Sequence, residues 1–190
     1  MLMATSVLHS QSTPRSETAV FAGGCFWGTE AVFEHVKGVT SVVSGYAGGS
    51  ALDANYRAVS AERTRHAESV KITYDPHQIA FTDLLVIFFA THDPTELNRQ
   101  GPDEGRSYRS AIFPQTAEQA KEARDFINRV NAAHVYKKQV ATLIESGDFY
   151  PAEAFMQHYF DRNQSDPYII DNDKPKLRVL EAKFPTFYKP

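Results

Sequence analysis

Cysteine is nearly absent from this chain: of 190 residues, Cys25 alone carries a thiol. No disulfide can close within it, so its stability must rest on packing rather than cross-links. That usage fits a reducing compartment. A cytoplasmic location is expected, since Met1 to Glu17 is rich in Ser and Thr and holds no continuous apolar stretch of the kind that directs export. The same segment is expected to be a flexible tail over residues 1–17, followed by a single domain over residues 18–190.

An excess of positive charge is also missing. Lys and Arg total 20 against 23 Asp and Glu, a net charge of −3. No basic stripe exists to neutralise a phosphate backbone, which argues against nucleic acid as a partner. Long hydrophobic runs are lacking too. The longest, Leu84 to Ala90, falls far short of the roughly 20 residues a membrane-spanning helix needs. It reads as a core helix, and no membrane association is expected.

What is present is an alternation of short apolar strands and amphipathic helices. Thr18 to Ala22 predicts a strand, Cys25 to Val36 a helix closed by Lys37-Gly38, and Thr40 to Tyr46 a second strand. Glu68 to Tyr74 puts Val70, Ile72 and Tyr74 on one face of a third. Thr82 is a candidate cap for a helix from Asp83 to Thr91, and Tyr108 to Phe113 predicts a strand stopped by Pro114. This β-α-β-β-α-β order implies an α/β (α+β) protein, a ferredoxin-like two-layer sandwich whose sheet is mixed but mainly antiparallel. A helix capped by Thr116, a strand near Val140 to Glu145, a short helix after Pro151 and a long irregular C-terminal segment complete the expectation.

Cys25 lies in Gly23-Gly24-Cys25-Phe26-Trp27-Gly28, where strand hands over to helix. A lone cysteine is most often a small buried hydrophobe. Here two glycines let the backbone turn sharply, Phe26 and Trp27 set large apolar surfaces beside the sulfur, and a helix N-terminus favours thiolate over thiol. The combination points to a nucleophile. Glu68 opens an apolar strand, where desolvation raises a carboxyl pKa and suits it to donate a proton. Tyr56 and Tyr108 could donate phenolic hydrogen bonds to a ligand oxygen, or merely bridge core and solvent. His66 would complete a cysteine-histidine pair only if a ring nitrogen reached Cys25. His92-Asp93-Pro94 reads more simply as a helix end than as part of a metal site, and no metal is expected.

Seven collinear segments carry a resemblance: Gly24-Cys25-Phe26-Trp27-Gly28, Asn55-Tyr56-Arg57, His66-Ala67-Glu68, Tyr74-Asp75-Pro76, His92-Asp93-Pro94-Thr95, Asn98-Arg99-Gln100-Gly101 and Tyr108-Arg109-Ser110. Together they closely resemble peptide methionine sulfoxide reductase of the A type, in order from about Val20 to the Pro175-Lys176 and Lys183-Phe184-Pro185 segments. The resemblance implies an oxidoreductase of protein repair under oxidative stress, a peptide-methionine (S)-S-oxide reductase acting on oxidised proteins or free methionine sulfoxide. It implies Cys25 as catalytic nucleophile passing through a sulfenic acid, Glu68 as acid, and Tyr56 and Tyr108 as donors to the sulfoxide oxygen. Phe26 and Trp27 would form a pocket for the substrate methyl, and Asp103 would be a substrate-site carboxylate.

The chain departs from that family in two places. Many members carry further cysteines near the C-terminus that resolve the sulfenic acid; this chain has none, so an external thiol (thioredoxin, glutaredoxin or glutathione) is expected to do so, with no bound cofactor. Where the family often reads Cys-Ser-Gly and then Thr-Gly-His-Ala-Glu, this chain has Ser60-Ala61-Glu62-Arg63-Thr64-Arg65-His66-Ala67-Glu68. Losing glycines for Ala61 and Arg65 questions the positive-φ turns of that loop, and Arg63 and Arg65 are candidates to attract an acidic thiol such as glutathione. A monomer is expected. The competing readings are a one-cysteine thiol peroxidase, which normally surrounds its peroxide with Thr and Arg, and a non-catalytic module binding methionine side chains, which would not need Glu68.

Overall fold

The computed structural model describes residues 16–190. Of the tail expected over residues 1–17, Glu17 already belongs to the first strand, where it pairs with Tyr74 and its carboxylate accepts the Tyr74 hydroxyl at 3.0 Å. The remainder, up to Arg15, lies outside the described residues. In chain order the elements are β1 (Glu17–Gly23), α1 (Phe26–Glu34), β2 (Val39–Ala47), α2 (Tyr56–Val59), β3 (Ala67–Tyr74) and α3 (Phe81–Thr91). There follow β4 (Arg99–Gln100), β5 (Asp103–Glu104), β6 (Ser110–Ile112), α4 (Ala117–Ala132), β7 (Leu143–Ile144), β8 (Phe149–Pro151), α5 (Tyr159–Arg162) and α6 (Lys174–Lys183).

Six strands form one sheet in the order β7-β6-β1-β3-β2-β8, while β4 and β5 pair separately. Every pairing in the large sheet is antiparallel except β6 with β7. The protein is thus a mixed α/β fold with a mainly antiparallel sheet. The crossover β1-α1-β2 leaves a gap that β3 fills, which sets the central order β6-β1-β3-β2.

Alternation along β1 divides the core. Ala19 and Phe21 face the large cluster with Phe33, Phe81, Leu84 and Phe88 from α1 and α3, while Val20 and Ala22 face a smaller one with Ala47, Ala67, Ala111 and Phe113. The N-terminal half of β3 is therefore buried on both sides, and Ser69, which simple alternation assigns to solvent, is buried as well. Phe21 is the hinge of the large cluster: its ring lies 4.8 Å from Phe88, 5.7 Å from Phe33 and 5.9 Å from Phe81.

Four expectations need correction. Thr82 does not cap α3: Ala80 is the N-cap, and the Asp83 carboxylate reaches back to accept the Ala80 N–H at 3.1 Å, the half of a capping box that the third helical residue supplies. Thr116 does cap α4, its hydroxyl accepting the Gln119 N–H at 3.1 Å. The strand expected from Tyr108 is a 3-10 turn over Arg106–Tyr108 and becomes extended only at Ser110, and the strand expected near Val140 to Glu145 pairs over just Leu143–Ile144. Pro151 closes a strand rather than opening a helix, because the edge of β2 captures this backbone; Ala152 N–H then donates to Ser44 O at 2.9 Å. The C-terminal segment is irregular only in part. A π-helical turn over Ile169–Asp173 runs into α6, whose Leu180 is fully buried in the large cluster. Among the described residues no helix is long and apolar enough to cross a membrane.

Replacing Phe21 with Ala removes the ring on which three others converge and should cost about 3–5 kcal/mol of unfolding free energy. Urea denaturation checks this, and a loss below about 1 kcal/mol would mean that the cluster does not depend on this ring.

Candidate active site

The site is assembled around the first turn of α1. Gly24 adopts a φ of +89°, and a Cβ there would lie 2.5 Å from the Gln100 side chain, so only glycine lets the chain turn from β1 into the helix at this point. Cys25 is the N-cap and is 6% exposed. No side chain of the neighbouring sequence caps this helix. The acceptor comes from 42 residues away: Glu68 Oε2, at the start of β3, takes the Phe26 N–H at 3.1 Å. Cys25 and Glu68 are thereby tied to the two ends of one hydrogen bond.

The electrostatics of the pair are set by burial. The Glu68 carboxyl is pushed up to about 8, first by desolvation; the Phe26 N–H and Lys176 oppose this, and the charges of Asp103 and Glu62 add to it. Near neutral pH the group holds its proton. The Cys25 thiol is also pushed well above the ordinary cysteine value, first by burial and then by Glu68 and Asp173, against the opposing pull of Lys176 and the Trp27 N–H. This corrects the expectation that the helix N-terminus would make the resting sulfur a thiolate. The helix does favour the anion, but desolvation outweighs one amide and one partly shielded ammonium.

Lys176 reaches this position because Gly28 has no side chain. A Cβ at Gly28 would sit 2.1 Å from Asp173 Oδ1 and 2.8 Å from Lys176 Nζ. The two charges pair at 3.0 Å, with Asp173 fully buried.

The aromatic residues of the site come from α1, α2 and the 3-10 turn before β6. Tyr56 begins α2, where Asn55 Oδ1 accepts the Ala58 N–H at 3.0 Å and Glu153 Oε1 accepts the Tyr56 N–H at 2.9 Å. Tyr108 ends the 3-10 turn before β6. The hydroxyls of both are raised by burial, then by Glu68 and Cys25, so both face the same charges and stay protonated as donors. Phe26 is 1% exposed and packs at 5.8 Å from the Tyr46 ring, which makes it the floor of the site. Trp27 is half-buried and is the wall.

Sequence reasoning missed two residues that complete that wall. Tyr159 stacks on Trp27 at 3.7 Å with an 11° tilt, and Tyr168 meets the indole edge-on at 5.9 Å while its hydroxyl donates to Asp103. Both lie in the C-terminal segment that lacked periodicity, so only a tyrosine-rich composition there hinted at them. Asp103 is thus held at the site through Tyr168, and burial raises its carboxyl.

The histidines are committed elsewhere. His66 is fully buried with Nε2 3.0 Å from Ser50 O and 3.3 Å from Asp53, while His92 Nδ1 lies 2.6 Å from Phe88 O and Nε2 2.8 Å from the Ser110 hydroxyl. Burial lowers His92 to about 4, so its ring is neutral. Arg109 is a structural pin, pairing with Glu145 at 2.7 Å and donating to the carbonyls of Arg65, His66 and Arg106. Among the described residues, Glu30, Glu34 and His158 bring donor atoms within 4.8 Å of one another. Glu34 lies 2.7 Å from His158 Nδ1, Glu30 accepts the His158 N–H at 2.9 Å, and burial, with Glu34 beside it, pushes the Glu30 carboxyl up to about 7.

This constellation follows the order of the sequence motifs, and comparison with known proteins decides the family. The model for "Peptide methionine sulfoxide reductase" matches residues 17–186. The chain belongs to that family. It is 48% identical over 183 residues to peptide methionine sulfoxide reductase MsrA 2 of Mesorhizobium japonicum, covering 95% of this chain and 94% of the relative. It is similar in structure to methionine sulfoxide reductase A of Corynebacterium diphtheriae, with a TM-score of 0.75, 34% identity and coverage of 81% and 78% of the two chains. Mxr1 of Saccharomyces cerevisiae in complex with Trx2 shares the fold at a TM-score of 0.52 and 24% identity, covering 80% of this chain and 90% of that one.

In the loop before β3 the positive-φ residue is neither Ala61 nor Arg65. It is Glu62, at φ 55°. Arg63 and Arg65 are exposed.

Because Glu68 repels a charge on Cys25, Glu68→Gln should lower the apparent pKa of the thiol and speed its alkylation by iodoacetamide at a fixed pH near 9. A pH series of alkylation rates reads this directly. An unchanged curve would mean that the two groups are not electrostatically coupled.

Proposed function

We propose that this chain reduces the S epimer of methionine sulfoxide, free or in oxidised proteins, through a Cys25 sulfenic acid that an external thiol then reduces. One observation carries the reading: a buried carboxyl that keeps its proton near neutrality is hydrogen-bonded to the amide next to the single thiol, and the Tyr56 and Tyr108 hydroxyls feel the charges of both.

A sulfoxide sulfur accepts a nucleophile only when its oxygen is protonated as the new bond forms. Cys25 attacks as thiolate and Glu68 gives its proton to the oxygen. Tyr56 and Tyr108 donate to that oxygen as charge builds on it, and Trp27 over Phe26 receives the methyl while excluding water. The S–O bond then breaks and the oxygen ends on Cys25. The cysteine is oxidised to sulfenic acid, the sulfoxide is reduced by two electrons to the thioether, and the thiol's proton replaces the one Glu68 gave up. With Glu68 protonated its charge no longer opposes the thiolate, which leaves Lys176 and the Trp27 N–H as the groups favouring it. Regeneration takes two further thiol equivalents. The first forms a mixed disulfide with loss of water, and the second releases Cys25. The absence of a second cysteine in this chain and the Mxr1–Trx2 complex of a relative both support an outside dithiol such as thioredoxin.

Single turnover of the reduced protein with a racemic methionine sulfoxide peptide should release about one equivalent of methionine, from the S epimer alone. Cys25→Ser should abolish release, and Glu68→Gln should slow it by roughly ten- to a thousandfold. Peroxide consumption without methionine release would favour a thiol peroxidase, retention without product would favour a binding module, and a wild-type rate in the Gln variant would remove Glu68 from its role.

A further inference from the structure

Glu62 is a glutamate in a left-handed backbone conformation, φ 55°, a region that residues with a Cβ rarely occupy. Such a conformation persists only where the surroundings hold it. What holds it is the other end of its own side chain. The Glu62 carboxylate accepts the Ser107 N–H through both oxygens, each at 3.3 Å, and also accepts the Ser107 hydroxyl. Ser107 is 2% exposed and immediately precedes Tyr108. Across the chain from Glu62, Gly105 has a φ of +138°, and a Cβ there would lie 2.3 Å from Glu62 Oε1. The two segments are therefore shaped to each other: one contributes a carboxylate from a strained backbone, the other clears the space and presents two donors.

We propose that Glu62 is a positioning residue for Tyr108, latching the loop before β3 onto the 3-10 turn Arg106–Tyr108 so that the phenol is held over Cys25. The same turn is pinned from behind by Arg109, whose guanidinium donates to Arg106 O at 2.9 Å and to His66 O at 3.2 Å. The latch and the pin grip the residues on either side of Tyr108. The inference rests on the proposed role of Tyr108 as a donor to the sulfoxide oxygen.

The test is a double-mutant cycle read in single-turnover reduction of an S-sulfoxide peptide. Glu62→Gly, which relieves the backbone and removes the carboxylate, should lower the maximal rate on the order of tenfold with half-saturation changed less than about twofold. Glu62→Gln, which keeps one acceptor for Ser107, should recover most of the loss. In a Tyr108→Phe background Glu62→Gly should cost nothing further, because the group it positions is already gone. Equal losses from Glu62→Gly in both backgrounds, or a wild-type rate in Glu62→Gly, would overturn the latch while leaving Tyr108 in its role. A wild-type rate in Tyr108→Phe would instead reject the role of Tyr108 and the latch with it.

Discussion

One hydrogen bond organises the site, the 3.1 Å contact from the Phe26 N–H to Glu68 Oε2. A helix leaves its first amides without partners, and most helices satisfy one of them with the side chain of their own N-cap. Cys25 occupies that position here and makes no side-chain cap bond. The task falls to a carboxyl on the middle of the sheet, and the topology delivers it: β3 inserts between β1 and β2, so its first residues arrive beside the turn that joins β1 to α1. The helix start cannot be satisfied without bringing an acid to the thiol.

That arrangement creates a conflict that burial decides. The amide favours an ionised Glu68 and the helix favours an ionised Cys25, yet desolvation is the largest cause acting on each and pushes both toward their protonated forms. The two groups also repel as anions, so they share protons as a pair. A site that held both charges at rest would have no acid to give. Lys176, admitted by the missing side chain of Gly28 and paired with Asp173 at 3.0 Å, favours the anion at both Cys25 and Glu68, but burial outweighs it at each.

How far the residues disclosed this in advance depended on whether each signal was local. The mixed α/β class with its mainly antiparallel sheet was legible because alternation in Val70, Ile72 and Tyr74 and the capping Thr116 report on their own segments, whereas α2 and the β4-β5 pair interrupt the expected β-α-β-β-α-β order. Cys25 between two glycines and a Phe-Trp pair was legible for the same reason. The resting charge of the sulfur was not. It depends first on burial and then on Glu68 and Asp173, the last brought by a π-helical turn that no apolar period announces. Tyr159 and Tyr168 were hidden likewise, since they reach Trp27 from a segment whose course is set by tertiary contacts rather than propensity. At Ala80 the error ran the other way: a plausible hydroxyl at Thr82 was passed over because Asp83 reaches back to the amide and Phe81 is needed in the core.

The burial of the sulfur also bears on the lack of a second cysteine. Thiolates, not thiols, are what oxidants attack, and a sulfenic acid with no neighbouring thiol to trap it stays open to further oxidation until an outside reductant arrives. A resting thiol that is 6% exposed and held protonated resists the first of these hazards. On the indole side, Tyr159 and Tyr168 pack against Trp27 and cover part of its surface. Arg63 and Arg65 are exposed on the loop that leads into Glu68, so positive charge stands at the surface beside the strand that carries the acid.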